Sequence, residues 1–211
     1  FREWPRVFPA QNTPVYHVPS VRMNYKNEQD EGMMRRWVEV IDEIIEARLE
    51  RKGLVHTVSY ARQQYLLNHS RFAGHFVVNT ADAESGTAAD VVDKFKRMEA
   101  PAILVSPSFS TGWNFPDRTC DWQIIAKIPI PPARSKVMRA RKERNEQYIN
   151  YLAMQDLVQA CGRGTRSMED RCEVLIVDDS IGWFLGRNRH LAPEWFDVIW
   201  AGGVPRALKI G

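Results

Sequence analysis

The chain has 211 residues, 44% of them hydrophobic, with a formal net charge of +3 at neutral pH. That is enough apolar material for one substantial core, and no apolar run approaches the length that crosses a bilayer, so a soluble, cytoplasmic or nucleoid-associated protein is expected. Cys120, Cys161 and Cys172 form no Cys-x-x-Cys pair and show no zinc-ligand spacing with the five histidines, which excludes a disulfide scaffold and a zinc module. The first residue is Phe1 and no signal-peptide pattern follows, which reads as a piece of something larger.

Residues 1–22 hold Trp4, Pro5, Phe8, Pro9, Pro14, Tyr16 and Pro19, an extended lead-in with one short strand near Val15 to Val18. From 28 to 51, Met33, Met34, Trp37, Val38, Val40, Ile41, Ile44, Ile45 and Leu49 recur near a 3.6 period with charges between, which predicts a long amphipathic helix facing a sheet. Gly53 stops it. Residues 54–60 read as a buried strand ending in hydroxyls, followed by a helix over 61–70. Further strands are expected at 76–78, 102–105, 122–128 and 173–177, with helices over 88–98 and about 135–165. A helical tail over 181–200 sets Trp183, Phe184, Trp195, Phe196 and Trp200 at helical spacing to pack across the body.

Short apolar strands separated by helices, without alternation, predict a mainly parallel sheet covered on both faces, an α/β three-layer domain. The expected division is a lead-in over 1–22, the domain over 23–180 and the aromatic tail over 181–211. In such sheets ligands meet the loops beyond the carboxyl ends of the strands. The candidates there are His56, Thr57 and Ser59; Asn79 and Thr80; Ser106, Ser108 and Ser110; and Asp178 with Asp179. Hydroxyls and backbone amides in a row suit phosphates, although Ser and Thr also serve ordinary turns and helix caps. Tyr60 is placed either to stack a base or to pack in the core. For Asp178 and Asp179 no histidine or nucleophile stands beside them in sequence, so capping or pairing with arginine is the better reading than acid and base.

The stretch Gln159-Ala160-Cys161-Gly162-Arg163-Gly164-Thr165-Arg166 sets two arginines three residues apart at the end of a helical pattern. That spacing puts two rigid, permanently charged forks on one helical face, and Gly162 lets another surface approach. A solvated basic helix end is the plainer alternative. Upstream, Arg134, Lys136, Arg139, Arg141, Lys142 and Arg144 form a basic run, partly offset by Glu143 and Glu146, which is either a solvated face or a nucleic-acid contact.

Taken in series, the segments 52–60, 103–106 leading to Ser110-Thr111-Gly112-Trp113-Asn114-Phe115, Ile128-Pro129-Ile130-Pro131, 159–166 and 174–179 resemble the second motor domain of superfamily 2 helicases of the XPD and DinG type. The resemblance covers about residues 23–179, and its most specific element is the Gln-x-x-Gly-Arg-x-x-Arg pattern of Gln159, Gly162, Arg163 and Arg166. It implies a RecA-like domain that partners an N-terminal RecA-like motor domain, with ATP and Mg2+ held mainly by that partner and single-stranded DNA crossing both. By the same resemblance Arg163 and Arg166 are arginine fingers, Gln159 senses the nucleotide with Gly162 beside it, and Gly112 and Asn114 contact the nucleotide. Ser59 and Ser106 then match the family's hydroxyls on the DNA backbone, and Tyr60, Thr80 and Ser108, from the strand-end reading, are expected to face nucleic acid with them. Where the family has Glu-Gly-x-Asp this chain has Thr111-Gly112-Trp113-Asn114, so neutral groups replace an acidic nucleotide contact.

No Gly-x-x-x-x-Gly-Lys-Ser/Thr phosphate loop and no Asp-Glu-x-His box are present, so the chain alone is expected not to turn over ATP. A rival reading is a catalytically silent RecA-like module that binds nucleic acid or protein. A third is a domain of an RNA helicase or duplex translocase. The motor reading expects Arg163 and Arg166 exposed at the domain edge, and the module reading expects them tied up inside.

Overall fold

A computed structural model of the protein describes residues 8–78, 87–107, 115, 119–165 and 167–208. Seven strands form one parallel sheet: β1 (Val15–Val21), β2 (Gly53–His56), β3 (Phe76–Val78), β4 (Ile103–Ser106), β5 (Trp122–Ile125), β6 (Glu173–Asp178) and β7 (Ile199–Trp200). In space they run β3-β4-β2-β5-β6-β1-β7, and every hydrogen-bonded pair is parallel. Six α-helices accompany them among the described residues: α1 (Glu31–Glu46), α2 (Tyr60–His69), α3 (Ala88–Arg97), α4 (Lys136–Arg144), α5 (Tyr148–Cys161) and α6 (Ser180–Asn188).

Successive strand residues point to opposite faces, and the core divides along that alternation. Val55, Ile103, Val105, Ile124, Leu175 and Val177 pack with Trp37, Ile41, Ile44 and Ile45 of α1 and Leu66 of α2. On the other face Leu54, Val77 and Leu104 meet Val92 and Phe95 of α3, while Ile125, Val174 and Ile176 meet Leu157 of α5 and Phe184 of α6. Both faces are therefore covered, which explains strands without polar alternation. Each fully buried Leu, Ile or Phe contributes about 1.5–3 kcal/mol.

α1 starts where its sequence allows. Asp30 caps it by accepting from the Met33 amide at 3.1 Å, which satisfies one of the unpaired amides of the first turn. Just beyond α1, Arg48 reaches the start of β6, with Nε 3.1 Å and Nη2 2.9 Å from the two oxygens of Glu173. Both side chains are wholly buried. Arg48 also donates to the Pro205 carbonyl, and Glu173 accepts from the Leu208 amide, so this pair ties the C-terminal segment to the sheet.

Three features differ from the sequence expectations. The stretch read as a lead-in supplies β1, which lies between β6 and β7 rather than outside the sheet. Its register shifts between His17 and Val21, the stretch that holds Pro19, and a bulge is where a residue without an amide donor fits within a sheet. The long helix expected over 135–165 is two helices. Between them the Asn145 side chain accepts from the Gln147 amide at 3.0 Å, an Asx turn that competes with helix continuation. In the tail, α6 ends at Asn188 and is followed by a short strand, so Phe184 and Phe196 are buried while Trp183, Trp195 and Trp200 stay exposed.

Candidate functional site

The strand order reverses between β2 and β5. β2 passes the chain to α2 on one face, and β5 passes it through α4 to α5 on the other, so the crevice beyond their carboxyl ends is where such a sheet binds ligands. A cleft of about 140 Å³ lies there, lined by His56 at the end of β2 and Val58 beyond it, Pro107 after β4, Lys127 and Pro129 after β5, and Asp156 and Ala160 of α5. Enclosed small-molecule sites run to roughly 300–1,000 Å³. This cleft is too small to enclose a nucleotide and suits an edge contact to a ligand held elsewhere as well.

The turn out of β2 is strained. Val58 has φ 63°, a left-handed conformation that costs a β-branched residue about 1–3 kcal/mol. It swings the chain so that Ser59 caps α2, accepting from the Arg62 amide at 3.3 Å and from Arg62 Nη1 at 2.9 Å. The two acceptances use the hydroxyl's lone pairs and leave its O–H to donate. Tyr60 opens α2 and is 49% exposed. Arg62 also grips both oxygens of Glu28 at 2.9 Å, and the Lys127 ammonium closes on the same carboxylate. Burial alone raises the Glu28 pKa, but hydrogen bonds from Lys127 and Arg62 outweigh it and hold the carboxyl below its ordinary value.

Ser106 is fully buried, so the hydroxyl expected to face nucleic acid is inside the domain in this conformation. Thr80, Ser108, Gly112, Asn114 and Arg166 lie outside the described residues. Asp178 accepts from the backbone amides of Met23, Ile128 and Ser180, and Asp179 accepts from the Ser20 amide and lies 2.9 Å from His17 Nε2. Both are structural ties, as capping chemistry predicts.

The arginine turn is held from several directions. α5 ends at Cys161 with Gly162 as its C-cap, and the Cys161 carbonyl accepts from Gln123 Nε2 at 2.9 Å. The Arg163 carbonyl accepts from the Phe115 amide at 3.4 Å. Gly164 backs onto Cys172 so closely that an added Cβ would sit 2.3 Å from its sulfur. Thr165 shares a 2.6 Å hydroxyl contact with Thr13. Gln159 is exposed, whereas Arg163 is only 8% exposed. The exposed position expected for Arg163 at the domain edge is thus not the one it adopts.

Gln123 was not among the residues singled out from sequence. It stands in mid-β5 with its side chain fully buried, and the available signal was a glutamine inside an otherwise apolar strand, because a buried amide needs partners for both ends. Its Oε1 is 3.1 Å from His56 Nε2. Since the Gln123 amide nitrogen donates to Cys161, its oxygen accepts, and the proton of His56 is therefore on Nε2. Burial pushes the His56 pKa down to about 4, with nearby Arg163 adding to the fall and the Gln123 bond opposing it. One buried relay therefore joins the end of β2 to the end of α5.

A parallel sheet with both faces covered, an edge cleft at the switch point and an arginine turn anchored behind it define a RecA-like α/β domain. The helicase C-terminal domain model matches residues 42–197, and the chain belongs to that family. S. tokodaii Xpd4 is similar at 14% identity and a TM-score of 0.63, covering 90% of this chain and 39% of that one. An apo XPD structure is similar at 17% and 0.65, over 90% and 40%. The C-terminal domain of the DEAD-box protein Dbp5 is similar at 8% and 0.56, over 91% of each. Identities this low show a shared fold, and the chain spans about two fifths of the length of those two XPD structures. A comparison with curated proteins finds no match. Among the described residues no group of three His, Cys, Asp or Glu side chains is placed to hold a metal ion, and no helix is long and apolar enough to cross a membrane.

Proposed function

We propose that the chain is the second motor domain of an ATP-dependent DNA helicase, working against an N-terminal RecA-like motor domain. The observation that supports this most is the placement of Gln159 in the last turn of α5, with Gly162 and Arg163 on the anchored turn after it, beside the switch-point cleft and inside a helicase C-terminal domain. ATP with magnesium, bound mainly by the partner domain, supplies the phosphoryl group whose hydrolysis drives opening and closing. Arg163 and Arg166 place fixed positive charge near that group, and a finger of this kind is worth about 10³ to 10⁵ in rate where it has been measured. Gln159, exposed one turn earlier, offers both donor and acceptor to the nucleotide. Ser59 donates its free O–H to a backbone phosphate of single-stranded DNA, and Tyr60 offers an exposed ring for stacking.

The burial of Arg163 favours a second reading, a silent module that binds nucleic acid or protein. The experiment that separates the two is DNA-stimulated ATP turnover by the full-length protein carrying Arg163→Ala or Arg166→Ala, with nucleotide binding followed in parallel. Turnover lower by orders of magnitude with nucleotide still bound supports the motor. Unchanged turnover in both variants overturns it.

A further inference from the structure

α4 has no buried residue. Its nine positions hold five cations, Lys136, Arg139, Arg141, Lys142 and Arg144, against Glu143 as the one carboxylate. The helix alone thus has a greater positive charge than the +3 of the whole chain. Apart from its Ser135 cap, little in the helix itself accounts for keeping it helical and exposed. A nine-residue helix is below the roughly 12–15 residues at which isolated helices become marginal, and Lys136 with Arg139, Arg139 with Lys142, and Arg141 with Arg144 set like charges at a repulsive spacing of three. Of its two large apolar side chains, Val137 faces solvent at 61% exposure and Met138 is only partly covered.

The contacts it does make leave its charge available. Ser135 caps the N-terminus, Arg139 donates to the Arg134 carbonyl, and Arg141 donates to the Tyr148 hydroxyl. Among the described residues no carboxylate forms an ion pair with any cation of α4, and Lys136, Lys142 and Arg144 make no side-chain hydrogen bond. A surface helix that is polar all round either bridges to another body or is held by internal pairs, and here the pairs are missing. Solvated charged faces ordinarily mix the two signs, whereas this one is almost wholly of one sign.

We infer that α4 is a docking surface for the phosphate backbone of nucleic acid, an extension of the track beyond the strand-end hydroxyls. It is joined by residues 126–135 to β5, at the same carboxyl end of the sheet beyond which Ser59 follows β2 and Lys127 follows β5. Charge complementarity selects a polyanion, and the choice of nucleic acid over an acidic protein rests on the motor-domain reading. Phosphate contacts of this kind release counterions and read no sequence, so they appear as salt dependence.

The test is binding of a fluorescent single-stranded oligonucleotide to the full-length protein over a salt series, comparing wild type with the triple variant Lys136→Gln, Lys142→Gln, Arg144→Gln. A second triple variant, Arg35→Gln, Arg36→Gln, Lys94→Gln, makes the same change in net charge elsewhere. With about 0.7 counterion released per contacted phosphate, the α4 variant is expected to flatten the slope of log affinity against log salt by about 2 and to weaken binding about tenfold or more. The control variant keeps the wild-type slope. Both keep the wild-type thermal midpoint, since none of the six side chains lies in the core. An unchanged slope in the α4 variant with binding intact overturns the inference alone, as does an equal change in both variants. A wild-type protein that binds no nucleic acid overturns the motor reading with it.

Discussion

Gln123 Nε2 lies 2.9 Å from the carbonyl oxygen of Cys161, so a strand in the middle of the sheet grips the last turn of the helix that leads into the arginines. Replacing Gln123 with Leu keeps the volume but removes the donor to the Cys161 carbonyl and the acceptor of the His56 N–H. Leaving a buried polar group unsatisfied costs about 1–3 kcal/mol, so urea unfolding should show a clear loss of stability. Hydrogen exchange over residues 158–165 should quicken by more than the global change explains. Equal protection in the variant would show that the turn is held without Gln123.

His56 makes stability depend on pH in a defined direction. Its unfolded pKa is near 6.5 and its folded value about 4, so between these the unfolded chain takes up a proton that the folded protein refuses. The stability it leaves intact above pH 6.5 is lost as pH falls toward 4, on the order of 3 kcal/mol. His56→Gln keeps a donor for Gln123 and does not titrate. Denaturation at a series of pH values should give the variant a flatter profile through that window.

Gly164→Ala tests the wall behind the arginines. The added methyl would overlap the Cys172 sulfur at 2.3 Å and its Cβ at 2.5 Å, and both cysteines near it, Cys120 and Cys172, are buried and unable to retreat. Overpacking of this kind costs about 1–3 kcal/mol. The thermal midpoint should fall, and in the full-length protein ATP turnover should fall further than nucleotide affinity.

The Arg48 and Glu173 pair predicts opposite results for single and double changes. Arg48→Met leaves a wholly buried carboxylate with the Leu208 amide and the more distant Arg51 at 3.5 Å, and breaking a buried pair costs about 3–5 kcal/mol. Arg48→Met combined with Glu173→Leu removes both charges and should recover most of that loss. A thermodynamic cycle from chemical denaturation measures the coupling.

The parallel sheet was legible because strands covered on both faces have no polar alternation to confuse, and α1 because Trp37, Ile41, Ile44 and Ile45 repeat at a helical period. The arginine turn was legible as a pattern, but not its burial, since Arg163 is packed by elements distant in sequence. β1 was underestimated because Pro19 and its proline-rich surroundings read as linker, while the bulge that accommodates Pro19 depends on β6 beside it. Arg62 and Lys127 have no local signature, and the glutamine of β5 signals a need for partners without naming them. Their partners at Cys161 and Glu28 come together only when β5, α2 and α5 are assembled.

The family span opens at residue 42, within α1, yet β1 ends at Val21 and lies between β6 and β7. A fragment cut at the family boundary, which ends at residue 197, would lose β7 together with the interior strand β1, and turn the fully buried β6 into an open edge of apolar backbone that invites pairing with another chain. The smallest piece able to behave as an independent folding unit therefore reaches back at least to Pro14, whose carbonyl accepts the Val174 amide. Sequence kinship and mechanical integrity have different borders in this protein, and expression trials that follow the first should give inclusion bodies where those that follow the second give monomer.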